Sequence, residues 1–214
     1  MKIYSLSASV DYFGLLQLTK SPDPSAPLLR FKGGKSVCST WLPVEVEIQW
    51  YGYYDKKKKN RLAPADFPSH SLGSLIMSRN AADLLRDYFA PYGELLPLKC
   101  NDGEFWVLNV LKEVDVLDAE RSSPLFAEYE DDPPCLPIGE RIGIVTPYAF
   151  FTDKLSDVDL FRVPELPMSF FMTENFIKKV ESLGLTGLKV RREFDSEVDR
   201  YGFDYQGNPL SSSN

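Results

Sequence analysis

A chain of 214 residues with 43% hydrophobic and 26% charged side chains is long enough to bury a core and too apolar for wholesale disorder. Aromatic residues at 13% and 16 prolines suit strands, turns and irregular connections better than a helical bundle. The net charge of -7 is uneven: residues 1–112 hold 14 Lys and Arg against 11 Asp and Glu, whereas residues 113–204 hold 10 against 20. Phosphates are repelled by such an acidic half, which argues against nucleic acid as its partner and favours a basic protein.

Taken in chain order, Lys2-Ile3-Tyr4-Ser5-Leu6 alternates and predicts a short strand. Three prolines make residues 21–27 a loop. Strict alternation over Val44–Trp50 predicts a strand with Val44, Val46, Ile48 and Trp50 facing the core. The lysine run Lys56–Lys59 requires a solvated loop, because adjacent ammonium groups cannot share a dry site. From Ser78, a helix N-cap, the period changes: Ala81, Leu84, Leu85, Tyr88 and Phe89 form an apolar stripe that Pro91 and Gly93 end. Glu104–Val110 predicts a largely buried strand, followed beyond residue 127 by an acidic, proline-rich connection. Strands are expected over Arg141–Phe151 and Asp159–Val163, and a second helix over Thr173–Leu183. That helix has Thr173 as N-cap, Phe176, Ile177, Val180 and Leu183 inward, and Gly184 at the left-handed C-terminal position. Leu185–Val190 reads as a closing strand and residues 206–214 as a fraying tail.

Two stretches echo each other. Leu75-Ile76-Met77-Ser78-Arg79-Asn80 precedes the first helix, and Phe170-Phe171-Met172-Thr173-Glu174-Asn175 precedes the second. Either any capped helix after a strand looks like this, or a strand–helix–strand unit is duplicated. Both readings stand at this level.

Motifs for chemistry are few. His70, the one histidine, lies in a loop without a nucleophile elbow, so no Ser-His-Asp or Cys-His site is expected on it. Gly33-Gly34-Lys35-Ser36 ends like a P-loop, but Leu29 stands where that motif needs glycine. Glu113, Asp115, Asp118 and Glu120 gather acidic groups as a magnesium-dependent hydrolase does, yet no Glu-x-Lys accompanies them, and a turn-shaping role is the plainer reading. Lys56–Lys59 after Tyr51, Tyr53 and Tyr54 is thin support for single-strand binding. Cys38, Cys100 and Cys135 are widely spaced and odd in number, which points to a reducing compartment and buried structural thiols. No run reaches the ~20 apolar residues that span a bilayer. The first residues also lack the apolar core of a signal peptide. The reading is therefore cytoplasmic, with no cofactor and no membrane or nucleic-acid partner.

Several of these segments together carry a resemblance. They are Ile76-Met77-Ser78 with its helix, Leu96-Pro97-Leu98, Leu108-Asn109-Val110-Leu111 through Asp115-Val116-Leu117-Asp118-Ala119-Glu120-Arg121-Ser122, and Phe170–Phe176 running on to Gly184-Leu185-Thr186-Gly187-Leu188. Over roughly residues 70–195 the chain is similar to immunity family eleven of bacterial polymorphic toxin systems, once grouped as a domain of unknown function. The first 70 residues match loosely. The resemblance implies a non-catalytic protein, encoded beside a toxin, that binds and neutralises it in the cytosol. It names no toxin and brings no catalytic residues.

The expectation is one α+β domain over residues 1–205, a mixed or mainly antiparallel sheet carrying two principal helices. If the toxin is basic, its first contacts are Glu128, Glu130, Asp131 and Asp132 in the proline-rich loop, with Asp153, Asp157 and Asp159 before a strand. A metal-dependent hydrolase on the carboxylate cluster, or a self-associating scaffold, are the alternatives.

Overall fold

The computed structural model describes residues 1–7, 15–20, 31, 33–49, 65–68, 74–101, 103–118, 120–122, 148–167, 169–197 and 200–201; residues 15–20, 48–49 and 200–201 are described by backbone alone. In chain order the elements are β1 (Lys2–Leu6), β2 (Leu15–Lys20), β3 (Glu45–Gln49), β4 (Leu75–Ser78), α1 (Arg79–Phe89), β5 (Gly93–Leu98) and β6 (Phe105–Val110). A 3-10 turn (Thr152–Leu155) follows, then β7 (Leu160–Phe161), β8 (Phe171–Thr173), α2 (Glu174–Ser182), β9 (Val190–Asp195) and β10 (Arg200–Tyr201).

The strands form a five-stranded sheet of order β10-β9-β1-β8-β7, a three-stranded sheet of order β4-β6-β5, and the β2-β3 pair, all with antiparallel neighbours. The fold class is α+β. Because β4 and β5 both oppose β6, they run parallel to each other, and α1 carries the chain between them. The figure recurs: β8 and β9 both oppose β1, and α2 joins them. After β5 the chain turns back into the central slot as β6. After β9 it turns outward as β10, since β1 already holds the slot. The two sheets meet where the chain leaving β6 runs beside β7: Arg162 N donates to Lys112 O (2.8 Å) and Val114 N to Arg162 O (2.9 Å).

Both sheets are covered on both faces, and β4, β6 and β8 accordingly read as nearly continuous apolar runs rather than clean alternation. One set of faces meets the helices in a central core: Leu75, Met77, Leu108 and Val110 from one sheet, Leu160 and Met172 from the other, and Ala81, Leu85, Phe89, Phe176 and Val180 from the helices. Phe89 and Phe176 join the helices with ring centroids 5.8 Å apart. Beyond the five-stranded sheet, Ile3, Phe161, Phe171 and Phe194 are roofed by Val116, Leu117, Tyr148, Ala149, Phe150 and Leu155. Beyond the three-stranded sheet, Ile76, Leu96, Leu98, Phe105 and Val107 lie under Val44, Val46, Phe31 and Trp41. No helix among the described residues is long and apolar enough to cross a membrane.

Several local expectations are corrected. Leu84, placed on the inner stripe of α1, is 49% exposed. At about 100° per residue, Ala81, Leu85 and Phe89 share a narrow arc, and Leu84 falls roughly a quarter-turn off its centre. Thr173 occupies the N-cap position of α2 with extended backbone but makes no capping bond. Its hydroxyl donates instead to Asp159 Oδ1 (2.8 Å). Leu185–Lys189 is not a strand; β9 begins at Val190. Gly187 explains the irregularity: it has φ +86°, and a side chain there would collide with Ala65 and with the Phe67 carbonyl. Gly184 is left-handed as expected (φ +66°). Of the predicted strand Arg141–Phe151, residues 141–147 lie outside the described residues, and Phe150 makes only an isolated bridge to Leu117. Cys38 is exposed and Cys100 half-buried, so neither is the deeply buried thiol expected. Ser78 does cap α1, accepting from Ala81 N (3.2 Å), and Val44 and Val46 are buried. Trp50, the 21–27 loop, the lysine loop and residues 206–214 lie outside the described residues.

Candidate functional site

Two segments are laid side by side over the five-stranded sheet. The chain leaving β6 is held by Val114 N to Arg162 O, and Asp118 N donates to Ala149 O (2.9 Å). The returning segment is held by Phe151 N to Val116 O (2.8 Å). Leu117, Phe150 and Leu155 turn inward as apolar anchors. The polar residues between them must then face water, so these segments expose Glu113, Asp115, Asp153 and Asp157. Phe151 is 45% exposed among them. Lys154 is the one cation of the 3-10 turn; its Nζ donates to Asp115 O (2.9 Å) and lies 5.4 Å from the Phe151 ring centre. Solvated carboxylates around a partly exposed aromatic can receive a basic protein surface: the charges steer the encounter and the ring offers apolar area to bury.

Asp159 is built differently from Asp153 and Asp157. It is half-buried, with its carboxylate engaged on both oxygens. Oδ1 accepts from Thr173 Oγ1 (2.8 Å) and Asn175 Nδ2 (3.1 Å), and Oδ2 accepts from Tyr88 Oη (2.5 Å). Burial first, and then Asp159, push the Tyr88 phenol far above its ordinary range, so it stays a donor. Glu128, Glu130, Asp131 and Asp132 lie outside the described residues. The chain that carries them leaves at Ser122 and returns at Ala149, which are bonded to one another (Ala149 N to Ser122 Oγ, 2.9 Å).

The other sequence candidates resolve into structural groups or stay apart. Asp118 is buried and shapes a turn, accepting from Arg121 N (3.1 Å) with its side chain and from Ser122 N (2.8 Å) with its carbonyl. Glu113, Asp115 and Glu120 are exposed. Among the described residues, no three His, Cys, Asp or Glu side chains gather so as to hold a metal ion. In the Gly33–Ser36 segment, Gly33 N donates to Pro167 O (3.0 Å) and Lys35 N to Gly33 O (2.8 Å). The Glu94 carboxylate accepts from Ser36 Oγ (2.7 Å) and Val37 N (2.7 Å), so an acid already sits where a phosphate would have to bind. His70, Tyr51, Tyr53, Tyr54, Lys56–Lys59 and Cys135 lie outside the described residues.

Sequence reasoning missed two polar centres. Arg162 is buried and donates only to carbonyls: Nε to Val110 O (2.7 Å), and Nη1 to Pro167 O and Ser169 O (3.2 Å each). Burial brings its pKa down to about 10 against the opposing pull of Glu113, which leaves it charged at neutral pH. Asp66 accepts from Ser78 Oγ (3.0 Å) and Asn80 Nδ2 (3.2 Å) on Oδ1, and from Thr186 N (3.0 Å) and Thr186 Oγ1 (3.1 Å) on Oδ2. A signal for Asp66 was available. It stands 12 residues before Ser78, much as Asp159 stands 14 before Thr173 in the echoed stretch.

Against known families, the immunity protein family Imm11 matches residues 47–193. No curated protein matches the chain.

Proposed function

The chain belongs to the Imm11 immunity protein family, and from that premise we propose that it binds a cognate bacterial toxin in the cytosol and neutralises it without catalysing a reaction. The family match over residues 47–193 carries this reading. The partner is a protein encoded by a neighbouring gene, blocked at its active site or substrate channel. The docking face is the acidic surface around Phe151. Asp153 and Asp157 make direct contacts, Glu128, Glu130, Asp131 and Asp132 add charge from the adjoining chain, and Asp159 holds the turn in place from behind. The solvated carboxylates and half-exposed ring on one stretch support this choice of face.

The test is co-expression with the C-terminal toxin domain encoded by the adjacent reading frame. Growth should be restored, and the two proteins should elute as one complex. Continued killing in the presence of the folded chain, with no complex formed, would overturn the proposal.

A further inference from the structure

We infer that the chain contains two copies of one strand–helix–strand unit, locked to each other by a reciprocal pair of aspartate latches, Asp66 and Asp159. The topological repeat is the first observation: β4-α1-β5 around β6, and β8-α2-β9 around β1. Any strand–helix–strand crossover gives that much, so the side chains must decide. Counted from the hydroxyl residue that opens each helix, positions correspond one by one. Met77 and Met172 precede it, both fully buried in the central core. Leu75 and Phe170 point to that core, and Ile76 and Phe171 to the opposite faces of their sheets. Three residues on come Ala81 and Phe176, and seven on come Leu85 and Val180, all buried.

The clamps at the two helix starts repeat atom for atom. The Asp66 carbonyl accepts from Ser78 N (2.7 Å), and the Asp159 carbonyl from Thr173 N (2.9 Å). In each, Oδ1 takes the hydroxyl of that residue and the amide of the asparagine two places later. Generic capping requires no upstream aspartate, so a capped helix after a strand does not account for this. In each, Oδ2 then reaches the other unit. Asp66 holds Thr186, which follows α2, and Asp159 holds Tyr88 on α1. A carboxylate suits the task because it only accepts, and its two oxygens serve two sets of donors at once.

The reciprocity gives the test. Hydrogen exchange followed by mass spectrometry is compared for the whole chain and for Asp66→Asn and Asp159→Asn. Each substitution turns half of an acceptor into a donor facing donors. The expected result is exchange on the order of ten-fold faster at the clamped helix start and also across the gap. For Asp66→Asn the distant effect falls on residues 184–190, and for Asp159→Asn on the last turn of α1. Tyr88→Phe removes one cross-tie, and Thr186→Val removes the hydroxyl half of the other while the Thr186 N–H stays on Asp66 Oδ2 (3.0 Å). Both leave the clamps intact and serve if an aspartate variant does not fold; each should loosen only the far side of its tie, Tyr88→Phe more than Thr186→Val. Changes confined to the substituted unit, or cross-tie variants that exchange like the parent, would overturn the inference.

Discussion

Asp66 is where a single residue carries a pH signature. Burial acts to raise its pKa, but the hydrogen bonds from Asn80, Thr186 and Ser78 outweigh it, and the net shift is downward from the ordinary 3.8. A folded-state pKa below the unfolded one means that the unfolded chain binds the proton more readily. The stabilisation is therefore fully present above the unfolded value and is lost as pH falls through the folded value. Asp66→Asn should cost about 1–3 kcal/mol at neutral pH, the range for bonds to a charged acceptor. The gap to the parent should narrow as pH drops below about 4. Urea titrations of both proteins across that range would check it, and a gap independent of pH would mean the carboxylate's charge contributes nothing. Arg162 makes the opposite case. Truncation takes its donors from the Val110 and Ser169 carbonyls and leaves Pro167 O with Gly33 N alone, so Arg162→Met should destabilise by about 3 kcal/mol, read as a lowered unfolding midpoint. Arg162 could not be singled out from sequence, because an arginine after a strand is commonplace until its partners are known, whereas Asp66 left only its spacing to Ser78 as a mark.

At the scale of elements, α1 separates two adjacent leucines. Leu85 is fully buried and Leu84 is 49% exposed, so Leu85→Ala should cost about 2–5 kcal/mol and Leu84→Gln about 0.5 kcal/mol or less. Thermal midpoints would check the pair; equal losses would mean that the stripe has been placed wrongly. The helices themselves were legible in the sequence. Period 3.6, the Ser78 cap and Gly184 are local properties, and a stripe needs only its own residues. What was lost locally was lost to tertiary contacts. The Thr173 hydroxyl makes its bond to Asp159 and none to the first turn of α2, whereas Ser78 bonds Asp66 and caps α1 as well. The Leu185–Lys189 run looks like a strand, but Thr186 is pinned to Asp66 and Phe67, and Gly187 packs against Ala65 and Phe67. The run has strand composition and no ladder to join.

Over the whole molecule, the candidate face was legible only as charge. The excess of carboxylates in the second half marked the region, but sequence could not separate the exposed Asp153 and Asp157 from Asp159, which is bonded inward. If the face docks a basic toxin, Asp153→Lys combined with Asp157→Lys should slow association on the order of ten-fold at low salt, and less as screening rises. Stopped-flow rates that do not change would move the interface elsewhere. Topology was the least legible level, because pairing between distant segments leaves no local mark. The resemblance seen in the sequence starts near residue 70, yet the middle strand of the five-stranded sheet is β1, at the very start of the chain. It pairs with β8 on one side and β9 on the other, and Ile3 is fully buried beneath Phe150 and its neighbours. Removing Met1–Ser7 withdraws ladder bonds worth about 1 kcal/mol each on two sides and the burial of Ile3, about 2 kcal/mol. It also leaves β8 and β9 facing an empty slot. Against a total stability of ~5–15 kcal/mol, that loss should abolish cooperative unfolding, seen as loss of near-ultraviolet circular dichroism and of a urea transition. A truncated chain that keeps a sharp transition at the parental midpoint would show that β8 and β9 can close without β1.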